Sequence, residues 1–230
     1  MSRYSLKILA IDTSANLCAA CIYNADTSQV LATESRDIGR GHAEVLMGII
    51  ETVLDRSETC YEDLQKIAVT CGPGSFAGVR VGLASAKGFQ IALGIPAEAV
   101  STLNGMVEVA RENAAKGKIA ALIDAQRGQA YFQLFSDSDS PFEGKPDIAT
   151  YKKIAELLEN GDYTMCGSGS EPVSALLKTP MPISHQLTAV PVETVARLVA
   201  AGSKIESGLE PVYVRPPDAK PQSGFVLPRA

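Results

Sequence analysis

Apolar positions in this 230-residue chain fall into short runs broken by polar turns, and the spacing within those runs changes along the sequence. "KILAIDTS" (Lys7–Ser14) is an apolar run that stops in Asp-Thr-Ser, as a strand does when it enters a polar turn. "LCAACIYN" and "QVLATESR" are two more strand-like runs joined by "ADTS", so the first three elements read as an antiparallel meander. From His42 to Arg56 the period becomes helical: Leu46, Ile49, Ile50, Val53 and Leu54 share one face. "KIAVTCG" predicts a buried strand, Phe76 to Leu93 a helix stopped by Gly94 and Pro96, and Thr102 to Lys116 another helix after "AEAVS".

The pattern then partly restarts. "KIAALIDAQRGQAYFQLFS" predicts strand, turn, strand, and its "LID" echoes the earlier "AID". An irregular stretch between Asp137 and Ala149 follows. Next come a helix at Tyr151–Glu159, a strand "YTMCGSG", and helices near Glu171–Lys178 and Val192–Gly202. Two halves that each open with a strand ending in Asp suggest a duplicated α/β unit of β-β-β-α-β-α type. From Pro211 the tail is punctuated by prolines and expected to be extended.

Composition narrows the function. At 46% hydrophobic and 20% charged the chain reads as an ordinary globular protein, and its net charge of −5 makes it a poor solo binder of nucleic acid. No run approaches the length of a membrane span, and the apolar N-terminal run breaks at Asp12, too early for a signal peptide. Five cysteines, an odd number, fit reduced thiols and a cytoplasmic location.

The glycine loop "CGPGSFAG" matches neither of the chemistries its position suggests. A P-loop needs a Lys after its last glycine, where Val79 and Arg80 stand, and a nucleophile elbow needs G-x-S-x-G. The plainer reading is a strand-to-helix turn in which Gly74 supplies unusual backbone angles and Ser75 caps the helix. Beyond it, Gly78, Gly82 and Ala86 recur every four residues, and a stripe so bare lets another backbone approach closely. With apolar residues around the rest of this helix, and with Val45 and Met47 outside the core stripe of the preceding one, the pair forms either a protein interface or a fully internal layer.

Other candidates are weaker. His42 lacks a second histidine at i+4, where Leu46 stands, and His185 is distant, so no metal site is expected. Cys18 and Cys21 lie three apart on a strand and point to opposite faces. Asp12 with Thr13 and Ser14, and Asp124 in the second half, resemble the paired hairpins by which the actin, hexokinase and Hsp70 class holds phosphate and magnesium. They are equally readable as remnants that only cap strand ends.

"ILAIDTSANLCAACIY", "GHAEVL", "AVTCGPGSFAGVRVGLASAKG" and "EPVYVRPPDAK" together resemble the bacterial TsaB (YeaZ) family over about Lys7 to Lys220. The resemblance implies an α/β chain of two domains with the actin-like ATPase (ASKHA, ribonuclease H-like) fold, at 1–102 and 103–210, with an extended tail at 211–230. It implies a role in making N6-threonylcarbamoyladenosine at position 37 of tRNAs that read codons starting with A. The family serves as a non-catalytic scaffold for its catalytic paralogue TsaD, is joined by the ATPase TsaE, and self-associates when alone, touching tRNA only through the complex. No catalytic residue, metal or cofactor of its own is expected, and ATP or ADP with magnesium at the partner interface is left as an open alternative.

The implied interface lies on the helices at His42–Arg56 and Phe76–Leu93, with His42, Val45, Leu46, Ile49, Gly74, Ser75, Phe76, Val79, Gly82, Leu83 and Ala86 at the contact. Large residues in place of Gly82 and Ala86 are then expected to abolish pairing in a folded subunit. TsaD holds its metal with H-x-x-x-H, broken here by Leu46. The rival readings are an ATPase built on Asp12, Thr13, Ser14 and Asp124, and a protease acting on the partner, for which no nucleophile with a base is evident.

Overall fold

A computed structural model describes residues 5–136, 144–159, 161–202 and 208–215. Its ten strands and six α-helices form two five-stranded sheets of the same plan. In the first, β1 (Lys7–Asp12), β2 (Leu17–Asn24) and β3 (Gln29–Asp37) form the antiparallel meander that the three apolar runs predict. After α1 (His42–Arg56), β4 (Leu64–Thr70) pairs parallel to β1; after α2 (Phe76–Leu93), β5 (Ala97–Val100) pairs parallel to β4. The order is β3-β2-β1-β4-β5.

Helix α3 (Thr102–Glu112) leads to the second sheet, where β6 (Lys118–Asp124), β7 (Gln129–Phe135) and β8 (Asp147–Thr150) repeat the meander. α4 (Tyr151–Leu158), β9 (Tyr163–Cys166), α5 (Ser170–Ser174), β10 (Ile183–His185) and α6 (Val192–Ala200) complete it in the order β10-β9-β6-β7-β8. The strand order and directions are those of the actin-like, ribonuclease H-like fold, present twice. The repeat is richer than the sequence suggests by two short edge strands. β8 closes the stretch expected to be irregular up to Ala149, and β10 follows a loop with no apolar alternation.

Alternation along the strands assigns three cores. Ile8 and Ala10 face a central layer with Cys21, Leu103, Met106, Ile119, Ala121, Val195 and Val199, in which α3 and α6 fill the space between the sheets. Leu9, Ile11 and Cys18 face the other way, onto Leu46, Ile49, Ile50 and Val53 of α1 and Val79, Leu83 and Ala86 of α2. Ala120 and Leu122 of β6 face Ile154 and Leu158 of α4 and Val173 of α5. Helix α6 crosses back to pack on β1 and β2 of the first sheet, whereas α3 packs on β6 of the second. Cys18 and Cys21 fall in different cores, as their spacing requires.

Candidate functional site

Asp12 ends β1 and is completely buried. Its Oδ1 accepts hydrogen bonds from the Thr70 hydroxyl at the end of β4 (2.5 Å) and from the Ser14 amide (2.9 Å), while Oδ2 has no protein partner. Burial pushes the carboxyl above the ordinary aspartate range, and the Thr70 and Ser14 hydrogen bonds oppose that only in part. The neighbouring His42 opens α1 and donates from Nε2 to Ala15 O (2.9 Å), tying the helix to the same turn.

The glycine loop after β4 closes over this turn. The Ser75 amide donates to Ser14 O (2.7 Å), and the Thr13 hydroxyl donates to Gly78 O (2.8 Å). A Cβ on Gly74 would collide with Ser14 O, one on Gly78 with Thr13 O, and one on Gly82 would lie 2.6 Å from Thr13 Oγ1 and 3.3 Å from Val69. The unusual backbone angle belongs to Gly72 (φ +92°), while Gly74 is required for its close approach to Ser14. Ser75 caps α2 as expected, accepting from the Gly78 amide (3.3 Å). The small-residue stripe therefore meets a backbone, but one belonging to this chain: the Thr13–Ser14 turn.

This geometry does not fit a hydrated cation at Asp12. Neither oxygen reaches solvent, and the glycine loop packs directly on the Thr13 and Ser14 carbonyls beside it. Asp124 occupies the equivalent place at the end of β6 in a different setting. It is half-buried, and its Oδ1 accepts from the Gln126 amide (2.7 Å) and the Tyr151 hydroxyl (2.8 Å). Burial and that carboxylate push the Tyr151 phenol up to about 12. The two aspartates share no hydrogen-bond partner in the described residues. Among those residues no three His, Cys, Asp or Glu side chains cluster as a metal set would, and no helix is long and apolar enough to cross a membrane.

The interface residues named from sequence separate by burial. His42, Leu46, Ile49, Val79, Gly82, Leu83 and Ala86 turn inward, whereas Ser75 and Phe76 are exposed and Val45 and Gly74 are half-buried. A large residue at Gly82 or Ala86 would unseat α2 from its own sheet, so those two positions cannot serve as a surface probe. The open faces lie elsewhere: Ala43, Met47 and Gly48 on α1, and Ala77, Ala84, Gly88 and Ile91 on α2. Met47 is 43% exposed and Ile91 83% exposed, and nothing lies within 4 Å of a Cβ built on Gly48 or Gly88. Met47 was legible as apolar surplus, and Ile91 only as one of several apolar residues around the helix. Tyr213 and Arg80, which flank Phe76, were not legible at all, because the tail is 133 residues away from Arg80 in sequence.

Comparison with known proteins places this geometry among relatives. The family model for TsaD, tRNA N6-adenosine threonylcarbamoyltransferase, matches residues 30–162. The tRNA threonylcarbamoyladenosine biosynthesis protein TsaB of Haemophilus influenzae is 30% identical over 176 residues, covering 72% of this chain and 73% of that one. The protein of the same name from Bacillus subtilis is 35% identical over 130 residues, which span 56% of this chain and 55% of the relative. Among solved structures, YeaZ from Pseudomonas aeruginosa superposes with a TM-score of 0.75 at 24% identity, covering 90% of this chain and 99% of that one.

Proposed function

The chain belongs to the TsaB (YeaZ) family, within the wider group that the TsaD model describes, and from that premise we propose that it is a scaffold subunit in tRNA threonylcarbamoyladenosine biosynthesis. In this reading it binds the catalytic subunit TsaD, works with the ATPase TsaE, and reaches tRNA only through the complex, in the cytoplasm. Position 37 of tRNAs reading codons that start with A is the modified site. The observation that carries the reading is the outer face of α1 and α2, where Met47, Ile91 and Phe76 stand exposed among Ala43, Gly48, Ala77, Ala84 and Gly88. This face of small and apolar residues, which also carries the exposed Glu44 and Glu51 of α1 and Lys87 of α2, suits close helix-to-helix packing with a partner. The same face serves self-association in the absence of TsaD.

A non-catalytic role fits the first hairpin. The Asp12 turn is a clasp for α2: Asp12 Oδ1 accepts from Thr70 and Ser14, and the whole side chain is shut away from solvent. ATP or ADP with magnesium, where the complex uses it, belongs at the partner interface. Depleting the protein and measuring tRNA nucleosides by mass spectrometry tests the reading: loss of threonylcarbamoyladenosine is expected. Unchanged modification would overturn it.

A further inference from the structure

The tail re-enters the molecule where the two sheets present the carboxyl ends of their inner strands, the place where α/β sheets ordinarily meet ligands. Leu209 is buried in the core beneath α1 and α2, with Val212 packed against the same cluster. The Val212 amide donates to Cys71 O just beyond β4 (2.8 Å). The Tyr213 ring lies 5.7 Å from that of Phe76, and its hydroxyl accepts from Arg80 Nε (2.7 Å), while the Arg80 guanidinium sits 3.7 Å above Phe76. Two residues later Arg215 has crossed to the second sheet. Its Nη2 donates to Ala125 O (3.0 Å) and Gln129 Oε1 (2.8 Å), and its guanidinium faces Tyr131 at 6.0 Å.

The receiving turn is the one that follows Asp124. Gln126, Arg127 and Gly128 all adopt positive φ (62°, 57° and 71°), a conformation the two non-glycine residues hold only when their surroundings fix it. Besides the Ala125 amide bonded to Gln129 O, Arg215 supplies that turn with a charged double donor from outside.

We propose that Leu209–Arg215 is an interlobe strap, anchored on Cys71 and the Phe76–Arg80 pair at the start of α2, through which the first half of the molecule holds the strained Asp124 turn of the second. The strap joins the β4–α2 loop and the start of α2 in the first half to the β6–β7 turn of the second with the chain's own residues.

Hydrogen exchange on the full chain tests it. Arg215→Ala is expected to speed exchange of the Ala125 and Gln129 amides roughly tenfold, with the β2 amides unchanged. Arg215→Lys, which keeps the charge but not the planar guanidinium whose Nη2 donates twice, is expected to fall in between. Tyr213→Ala is the discriminating variant, because among the described residues its side chain pairs with Phe76 and Arg80 of the first half; the strap predicts faster exchange at the Asp124 turn by about threefold. Wild-type rates at that turn in Tyr213→Ala would overturn the strap, leaving Arg215 as a local hydrogen bond. An equal rise over all strands would overturn it too, as general loss of stability.

Discussion

Thr13 O, Thr13 Oγ1 and Ser14 O decide what α2 can be made of. A Cβ on Gly78 would drive into Thr13 O, a backbone carbonyl that cannot swing aside as a flexible side-chain end could. Gly78→Ala should therefore destabilise by about 2–3 kcal/mol, measured by urea unfolding, in spite of alanine's better helix propensity. Gly88→Ala on the same helix meets open space and should be stabilising by about 0.5–1 kcal/mol. Asp12 gives a pH signature. Because its native carboxyl is raised, the folded protein holds that proton more tightly than the unfolded chain. Wild-type stability relative to Asp12→Asn should rise as pH falls through the raised native value towards the ordinary 3.8, and level off below it. Parallel thermal unfolding of the two proteins over that window checks the sign; a difference that shrinks on acidification would contradict it.

At the scale of elements, the long periodic segments were readable, as was the four-residue β9, whereas the edge strands β8 and β10 were not. Helices α1 and α2 begin and end where their periodicity, Ser75, Gly94 and Pro96 place them. β8 and β10 have four and three residues, too few to show alternation, and owe their pairing to β7 and β9. The stripe Gly78, Gly82, Ala86 was visible as a close-packing face, but sequence spacing cannot say which backbone fills it, and here it is the chain's own first turn. The face left open carries Ile91, almost wholly in water, and Met47, nearly half in water, so their replacement costs the fold little. Met47→Glu with Ile91→Glu should leave the melting temperature within a few degrees of wild type by calorimetry, since surface changes of this kind stay within about 0.5 kcal/mol.

Over the whole molecule, duplication explains more than either half does alone. Each half places an aspartate at the end of its first strand, yet the halves use it differently: Asp12 is sealed under the glycine loop, and Asp124 is held by Tyr151 and its own turn. The equivalence was legible from "AID" and "LID"; the difference was not, because Thr70, Tyr151 and Arg215 reach these sites from distant parts of the chain. With the first hairpin spent on holding α2, the open surface of α1 and α2 is the feature on which the proposed function rests, and its central claim is that this face seats TsaD. Size-exclusion chromatography with light scattering on mixtures with TsaD tests it most directly. Wild type should co-elute as a heterodimer and Met47→Glu/Ile91→Glu, folded by calorimetry, should elute apart from TsaD; undiminished co-elution of the folded double variant would contradict the account.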